Sequence, residues 1–267
     1  MTKLALLPGR GVLRLTGPDR VAFLNGLVSN DVASAAPGRA VWAALLTPQG
    51  KYLADFFVFA TADALLLDTP RDGIEALLTK LRRYRLRAQV ELADAADDCA
   101  VYAAWDGPPP EAAIAAPDPR RPEAGWRLLS PAALPANVSA ADYATHRIAL
   151  GLPDGPPDLE PDKTLLLEAG FDELHGIAWD KGCYMGQEIT ARTKYRGLVK
   201  RRLLPVTLSA PVPPGSKVLA EGQEVGEIRS TARRLALAML RLDALGKELS
   251  AGEARVTPGA DGAPEAP

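Results

Sequence analysis

The spacing of apolar positions changes several times along this chain, and each change predicts an element. Val12–Leu15 reads as a short strand. After Asp19, placed as a helix N-cap, Val21, Leu24, Leu27 and Val28 recur at helical spacing and share one face. Val41–Leu46 and Tyr52–Phe59 are strand-like runs parted by Thr47-Pro48-Gln49-Gly50, a turn composition. A third strand is expected at Ala64–Asp68. Ile74, Leu77, Leu78 and Leu81 then mark an amphipathic helix over 72–84, and Arg87–Leu92 returns as a strand. This order predicts an α+β unit with a largely antiparallel sheet.

Cys99–Trp105 and Trp126–Leu129 are further strands, a helix is expected near Ala140–Leu150, and the Pro- and Ala-rich stretch Gly107–Gly125 reads as a surface loop. From Arg201 the texture changes. Arg202–Leu208, Lys217–Ala220, Glu224–Ser230 and Leu235–Arg241 are short strands divided by turn residues, the pattern of a small barrel or sandwich. The expected division is an α+β unit over 1–95, a second over 96–198, a C-terminal β-barrel over 199–256, and a disordered tail over 257–267.

Composition agrees with several compact units: 267 residues, 47% hydrophobic and 24% charged. A net charge of −2 argues against the molecule as a whole binding a polyanion, so any nucleic-acid role rests on local patches. Met1–Leu7 is too short for a signal-peptide core, and no apolar run approaches the ~20 residues that span a bilayer. A cytoplasmic location without a membrane partner is therefore expected. Cys99, Cys183, His146 and His175 show no metal-ligand spacing, which predicts two free thiols and no metal site.

Chemistry concentrates in Lys163–Arg202. Cys183 lies between Gly182 and Tyr184, with Lys181 before it and a short helix expected at Gln187–Thr193. A thiol near a lysine and a helix N-terminus is activated as a nucleophile or soft ligand; a thiol buried among apolar groups is filler. Two runs are basic and free of acids: Lys80 to Arg87, with Lys80, Arg82, Arg83, Arg85 and Arg87, and Arg192 to Arg202, with Arg192, Lys194, Arg196, Lys200, Arg201 and Arg202. Tyr84 and Tyr195 stand among these cations, either to stack on a flat ring or as core.

The string Lys181-Gly182-Cys183-Tyr184-Met185-Gly186-Gln187-Glu188 resembles the signature of the YgfZ family of folate-binding proteins, relatives of the glycine cleavage T-protein, an aminomethyltransferase. Phe23–Val32, Thr47–Lys51 and Leu167–Gly170 fit the same resemblance, which extends to about Leu240. It implies an α+β fold of three domains in a ring, two mixed antiparallel-sheet units plus the barrel, around a folate site. The implied role is accessory: tetrahydrofolate or a one-carbon derivative is bound, in support of assembly or repair of iron–sulfur enzymes, including ones that modify transfer RNA. Expected partners are those enzymes or their assembly machinery, with transfer RNA itself an alternative user of the basic runs.

The resemblance makes Glu168 the pterin contact, since a carboxylate accepts two hydrogen bonds from a pterin's amino group and ring N–H. Asp55 falls at or beside the transferase's catalytic aspartate and joins Cys183 as a candidate catalytic group. Lys181, Tyr184, Gln187, Glu188, Arg192, Tyr195 and Arg196 complete the expected cofactor shell, the cations serving folate's glutamate tail. The alternative activity is tetrahydrofolate-dependent aminomethyl transfer, with Asp55 binding the amine.

Overall fold

In the computed structural model, which describes residues 1–112 and 114–259, the first half of the chain gives strands β1 (Lys3–Leu6) and β2 (Arg10–Thr16), helix α1 (Arg20–Asn25), β3 (Val41–Leu46), β4 (Tyr52–Ala60), β5 (Ala64–Pro70), α2 (Ile74–Tyr84) and β6 (Glu91–Asp94). Strands β3-β4-β5-β2-β6 form one antiparallel sheet. All six residues of β3 are buried because both faces of the sheet are covered. Leu24, Ile74, Leu77 and Leu81 of the helices pack on Val41, Leu45, Phe56 and Val58. Trp42, Leu46, Tyr52 and Phe57 face the opposite way, toward the middle of the molecule.

Two local expectations shift. Asp19 does not cap α1; its carboxylate accepts the Gln89 N–H at 2.8 Å. Gly17, at φ +99°, brings the chain so close that a Cβ there would lie 2.2 Å from the Gln89 carbonyl oxygen. The last strand of this sheet begins at Glu91 rather than Arg87, because Leu86 turns the chain at φ +45°.

The second unit holds β7 (Ala100–Trp105), β8 (Ile114–Pro117), β9 (Trp126–Ser130) and α3 (Ala140–Ala149), with sheet order β1-β7-β9-β8. Strand β1 comes from the start of the chain and places Leu4 opposite Ala104, so the expected 1–95 unit gives its first strand to its neighbour. Strand β8 lies inside the stretch expected as loop; it pairs with β9 from Ile114↔Leu129 to Pro117↔Trp126. Ser139 and Asp142 cap α3 reciprocally.

Residues 151–186 run back over the first sheet without regular helix or strand. Tyr52 N–H donates to the Thr164 carbonyl, and Phe171 stacks on Trp42 with ring centroids 3.9 Å apart. Helix α4 (Gln187–Tyr195) leads into a closed barrel of six strands: β10 (Arg201–Leu208), β11 (Lys217–Ala220), β12 (Gln223–Ala232), β13 (Leu235–Arg241), β14 (Leu249–Ala251) and β15 (Ala254–Pro258). Because β15 pairs with β10 as far as Pro258, the tail expected from residue 257 begins inside a strand. Residues 260–267 lie outside the described residues.

Ion pairs tie the units together. Arg10 on β2 pairs with Asp68 on β5 and with Asp154 of the returning segment; Arg147 on α3 pairs with Asp158, whose other oxygen accepts the Ser230 hydroxyl from the barrel. Arg120 pairs with Asp118 and donates to the Pro153 carbonyl. Burial alone would push the Asp154 carboxyl up; Arg10 and Arg147 outweigh it and hold Asp154 well below the usual carboxylate range.

Candidate functional site

The run Lys181–Glu188, expected as part of the second unit, docks on the first. Lys181 Nζ donates to the carbonyls of Asn25, Val28 and Asn30 at 2.7, 2.8 and 2.7 Å. Three acceptors saturate an ammonium, so the expectation that Lys181 activates Cys183 or contacts a cofactor gives way to an anchoring role. Burial pushes this ammonium down to about 8. The same stretch is tied at Ser29, whose hydroxyl donates to the Gly176 carbonyl, and at Asn30, whose amide donates to the His175 and Trp42 carbonyls.

On its other side the run meets the Thr47–Lys51 turn. Gly186 sits at φ +82°, and a Cβ there would fall 2.6 Å from the Thr47 carbonyl oxygen. Gly50, at φ +71°, leaves the space that Ile189 of α4 fills. Two glycines thus let a turn and a helix start interlock, which brings together three stretches far apart in sequence.

Between these anchors Cys183 is exposed, a free thiol on a fixed loop rather than core filler. Tyr184 points inward, and burial pushes its hydroxyl up to about 12. Gln187 is half-buried and Glu188 exposed in the first turn of α4. Arg192, Tyr195 and Arg196 are exposed; Tyr195, at 77%, is not core. Lys194 lies over the Trp179 ring at 3.8 Å from its centroid.

Glu168 is buried in the wall of a separate cavity of about 810 Å³, lined also by Val199, Lys200, Arg201, Arg241, Leu242 and Asp243. Its two oxygens accept from Arg201 Nε at 3.3 Å and Nη2 at 3.1 Å, and its backbone carbonyl accepts the Leu203 N–H at 2.7 Å. Cys183 and Asp55 do not line this cavity, and neither do Lys181, Tyr184, Gln187, Glu188, Arg192, Tyr195 and Arg196, the residues expected to share one cofactor shell with Glu168.

Asp55 on β4 points inward but meets no open space. It is 1% exposed, and its oxygens accept the Tyr52 hydroxyl at 2.7 Å and the Trp42 indole N–H at 3.0 Å. Burial pushes its carboxyl up against the opposing pull of Arg10 and of these two donors. The partner expected for an inward Asp55, a ligand amine, is replaced by two side chains of the protein. Sequence reasoning missed the contacts that Arg10, Arg120 and Arg147 make with Asp154, the Pro153 carbonyl and Asp158 of the returning segment, because these partners lie 11 to 144 positions away and follow no local pattern.

Known proteins resemble the chain at three levels. Residues 200–263 match the family model for the CAF17 C-terminal β-barrel domain. The fold matches that of the glycine cleavage system aminomethyltransferase T from Bartonella henselae, with TM-score 0.75, covering 97% of this chain and 84% of that one at 14% identity. The human mitochondrial iron–sulfur cluster assembly factor IBA57 is 35% identical, with 88% of this chain and 76% of the human protein aligned. This chain belongs to the IBA57 family. The Mycosarcoma maydis IBA57 homolog is 37% identical over 80% of this chain and 60% of its own length.

Family membership refines the expected kinship: these relatives bear the IBA57 name, and what they share with the expected YgfZ-like reading is an assembly role on the T-protein fold. It also corrects the cytoplasmic expectation, since both IBA57 relatives are named as mitochondrial proteins. Among the described residues no helix is long and apolar enough to cross a membrane.

Proposed function

We propose that this protein is a folate-binding accessory factor in iron–sulfur protein assembly, acting with cluster-dependent enzymes or with their assembly machinery. The observation that carries this reading is its kinship, along 88% of its length, with a protein named an iron–sulfur cluster assembly factor. On the YgfZ-like resemblance, the clients to test include enzymes that modify transfer RNA. Cys183 is the group offered to a partner: its thiol is exposed while Lys181, Gly186 and the Asn30 amide hold the loop beneath it.

The cavity beside Glu168 suits tetrahydrofolate. Its volume falls in the range of small-molecule sites, ~300–1,000 Å³. Glu168 already receives a two-point donor fork, the hydrogen-bonding pattern a pterin edge presents. Lys200 on the same walls, with Arg201 and Arg241 beside their acids Glu168 and Asp243, offers charge to the carboxylates of the glutamate tail. When bound, the folate would supply a carrier for one-carbon units; the residues here supply orientation and charge. Aminomethyl transfer is not favoured, because Asp55 is sealed by Tyr52 and Trp42 and has no path to a substrate amine.

Cells lacking the protein should lose activity of iron–sulfur enzymes, and the wild-type chain should restore it. Cys183→Ser, folded to the same extent, should not. Full restoration by Cys183→Ser would remove any chemical role for the thiol, and enzyme activity indifferent to loss of the protein would overturn the assembly reading.

A further inference from the structure

Arg201 holds Glu168 in a way that bears on how a ligand enters. The pair is lopsided: the Glu168 side chain is 8% exposed, that of Arg201 50%. Glu168 is fixed, since the Leu203 N–H holds its backbone carbonyl and the carboxylate lies in the wall. Arg201, the first residue of β10, lines the same cavity, and its planar fork donates to both oxygens of the carboxylate. Directly opposite in the barrel register stands Arg241, which is occupied by Asp243, with its Nε donating at 3.0 Å. Like charges facing each other across strands repel, so Arg201 and Arg241 are kept compatible by each having its own acid.

We propose that Arg201 is a built-in stand-in for the pterin: in the ligand-free protein it occupies the donor position on Glu168, and a reduced pterin binds by exchange with it. This rests on the folate reading of the Glu168 cavity. The exchange has a second half. A guanidinium displaced from Glu168 stays beside Lys200, and since Arg241 remains held by Asp243, Arg201 and Lys200 are the two cations that then face whatever anion the ligand carries. Repulsion between them would disfavour the open state unless the ligand brings carboxylates. The pair therefore selects for pterins with an anionic tail over pterins without one, by making a bare pterin compete with Arg201 and return nothing for the freed charge.

The competing contact lowers apparent affinity by the fraction of molecules in which Glu168 is free, so a pair closed ~90% of the time costs about tenfold. The test is anaerobic calorimetry with two probes, tail-less 6-methyl-5,6,7,8-tetrahydropterin and triglutamyl tetrahydrofolate, on wild type, Arg201→Met and Arg201→Lys. Arg201→Met should bind the tail-less pterin about five- to tenfold more tightly than wild type and lose part of the preference for the tail. Arg201→Lys keeps the charge without the fork; it should tighten the tail-less pterin while retaining the preference. Unchanged thermal unfolding of both variants shows that the barrel strand is intact, as expected for a half-exposed side chain. Tail-less pterin binding equally to all three proteins would overturn the exchange and leave the folate site standing. No binding of either probe to any of them would overturn the folate reading and the exchange together.

Discussion

The two cysteines show how surroundings set reactivity at the scale of one residue. Cys99 is half-buried; burial first, then the charges of Asp68 and Asp98, push its thiol up to about 11. Cys183 is exposed. Only the thiolate reacts, and a raised pKa leaves about one thousandth of Cys99 ionised at pH 8, a fraction that grows as pH rises. Alkylation at pH 8 should therefore show one fast thiol, absent in Cys183→Ser, and a slow one that accelerates toward pH 11; two thiols of equal rate would contradict this placement. Sequence alone made Cys183 and Glu168 conspicuous through the motifs around them. It hid what Lys181 does, because the partners are backbone carbonyls more than 150 positions away and carry no side-chain signature.

At the scale of elements, legibility followed length and periodicity. The helix carrying Ile74, Leu77, Leu78 and Leu81, and the strand Leu235–Arg241, stand where their apolar spacing predicts them. Strands β1, β8, β14 and β15 are three to five residues long, too short for alternation to rise above a loop, and they exist because a neighbouring strand offers its hydrogen bonds. The contact between Gly50 and Gly186 was equally silent, since a glycine's value appears only when its neighbour is known. It makes a sharp comparison possible. Gly186→Ala meets both a left-handed backbone, costing ~1–2 kcal/mol, and the Thr47 carbonyl, and should lower stability by at least about 2 kcal/mol in denaturant unfolding. Gly182→Ala, with open space at its Cβ, should be nearly neutral. Equal effects would mean that the turn and the helix start do not interlock.

The whole molecule is three units held by buried ion pairs rather than by apolar contact alone. Arg10, Asp68 and Asp154 join the first sheet to the returning segment, and Arg147, Asp158 and Ser230 join that segment to the second unit and the barrel. Losing one member would strand a buried charge, which is why such clusters fix relative placement even where they add little net stability. The α+β class, the barrel and the T-protein-like architecture were legible from the order of elements and the signature string. The strand exchanged between units was not, because topology is settled by pairing across the chain. This placement sets Glu168 in the wall of a cavity that also holds Lys200, Arg201, Arg241 and Asp243, and leaves Cys183 exposed outside that lining. The most direct test is anaerobic calorimetric titration with 5,6,7,8-tetrahydrofolate of the wild-type protein and of Glu168→Ala. Saturable binding that the variant loses is the predicted result; a wild-type protein that binds neither mono- nor polyglutamyl tetrahydrofolate would contradict the account.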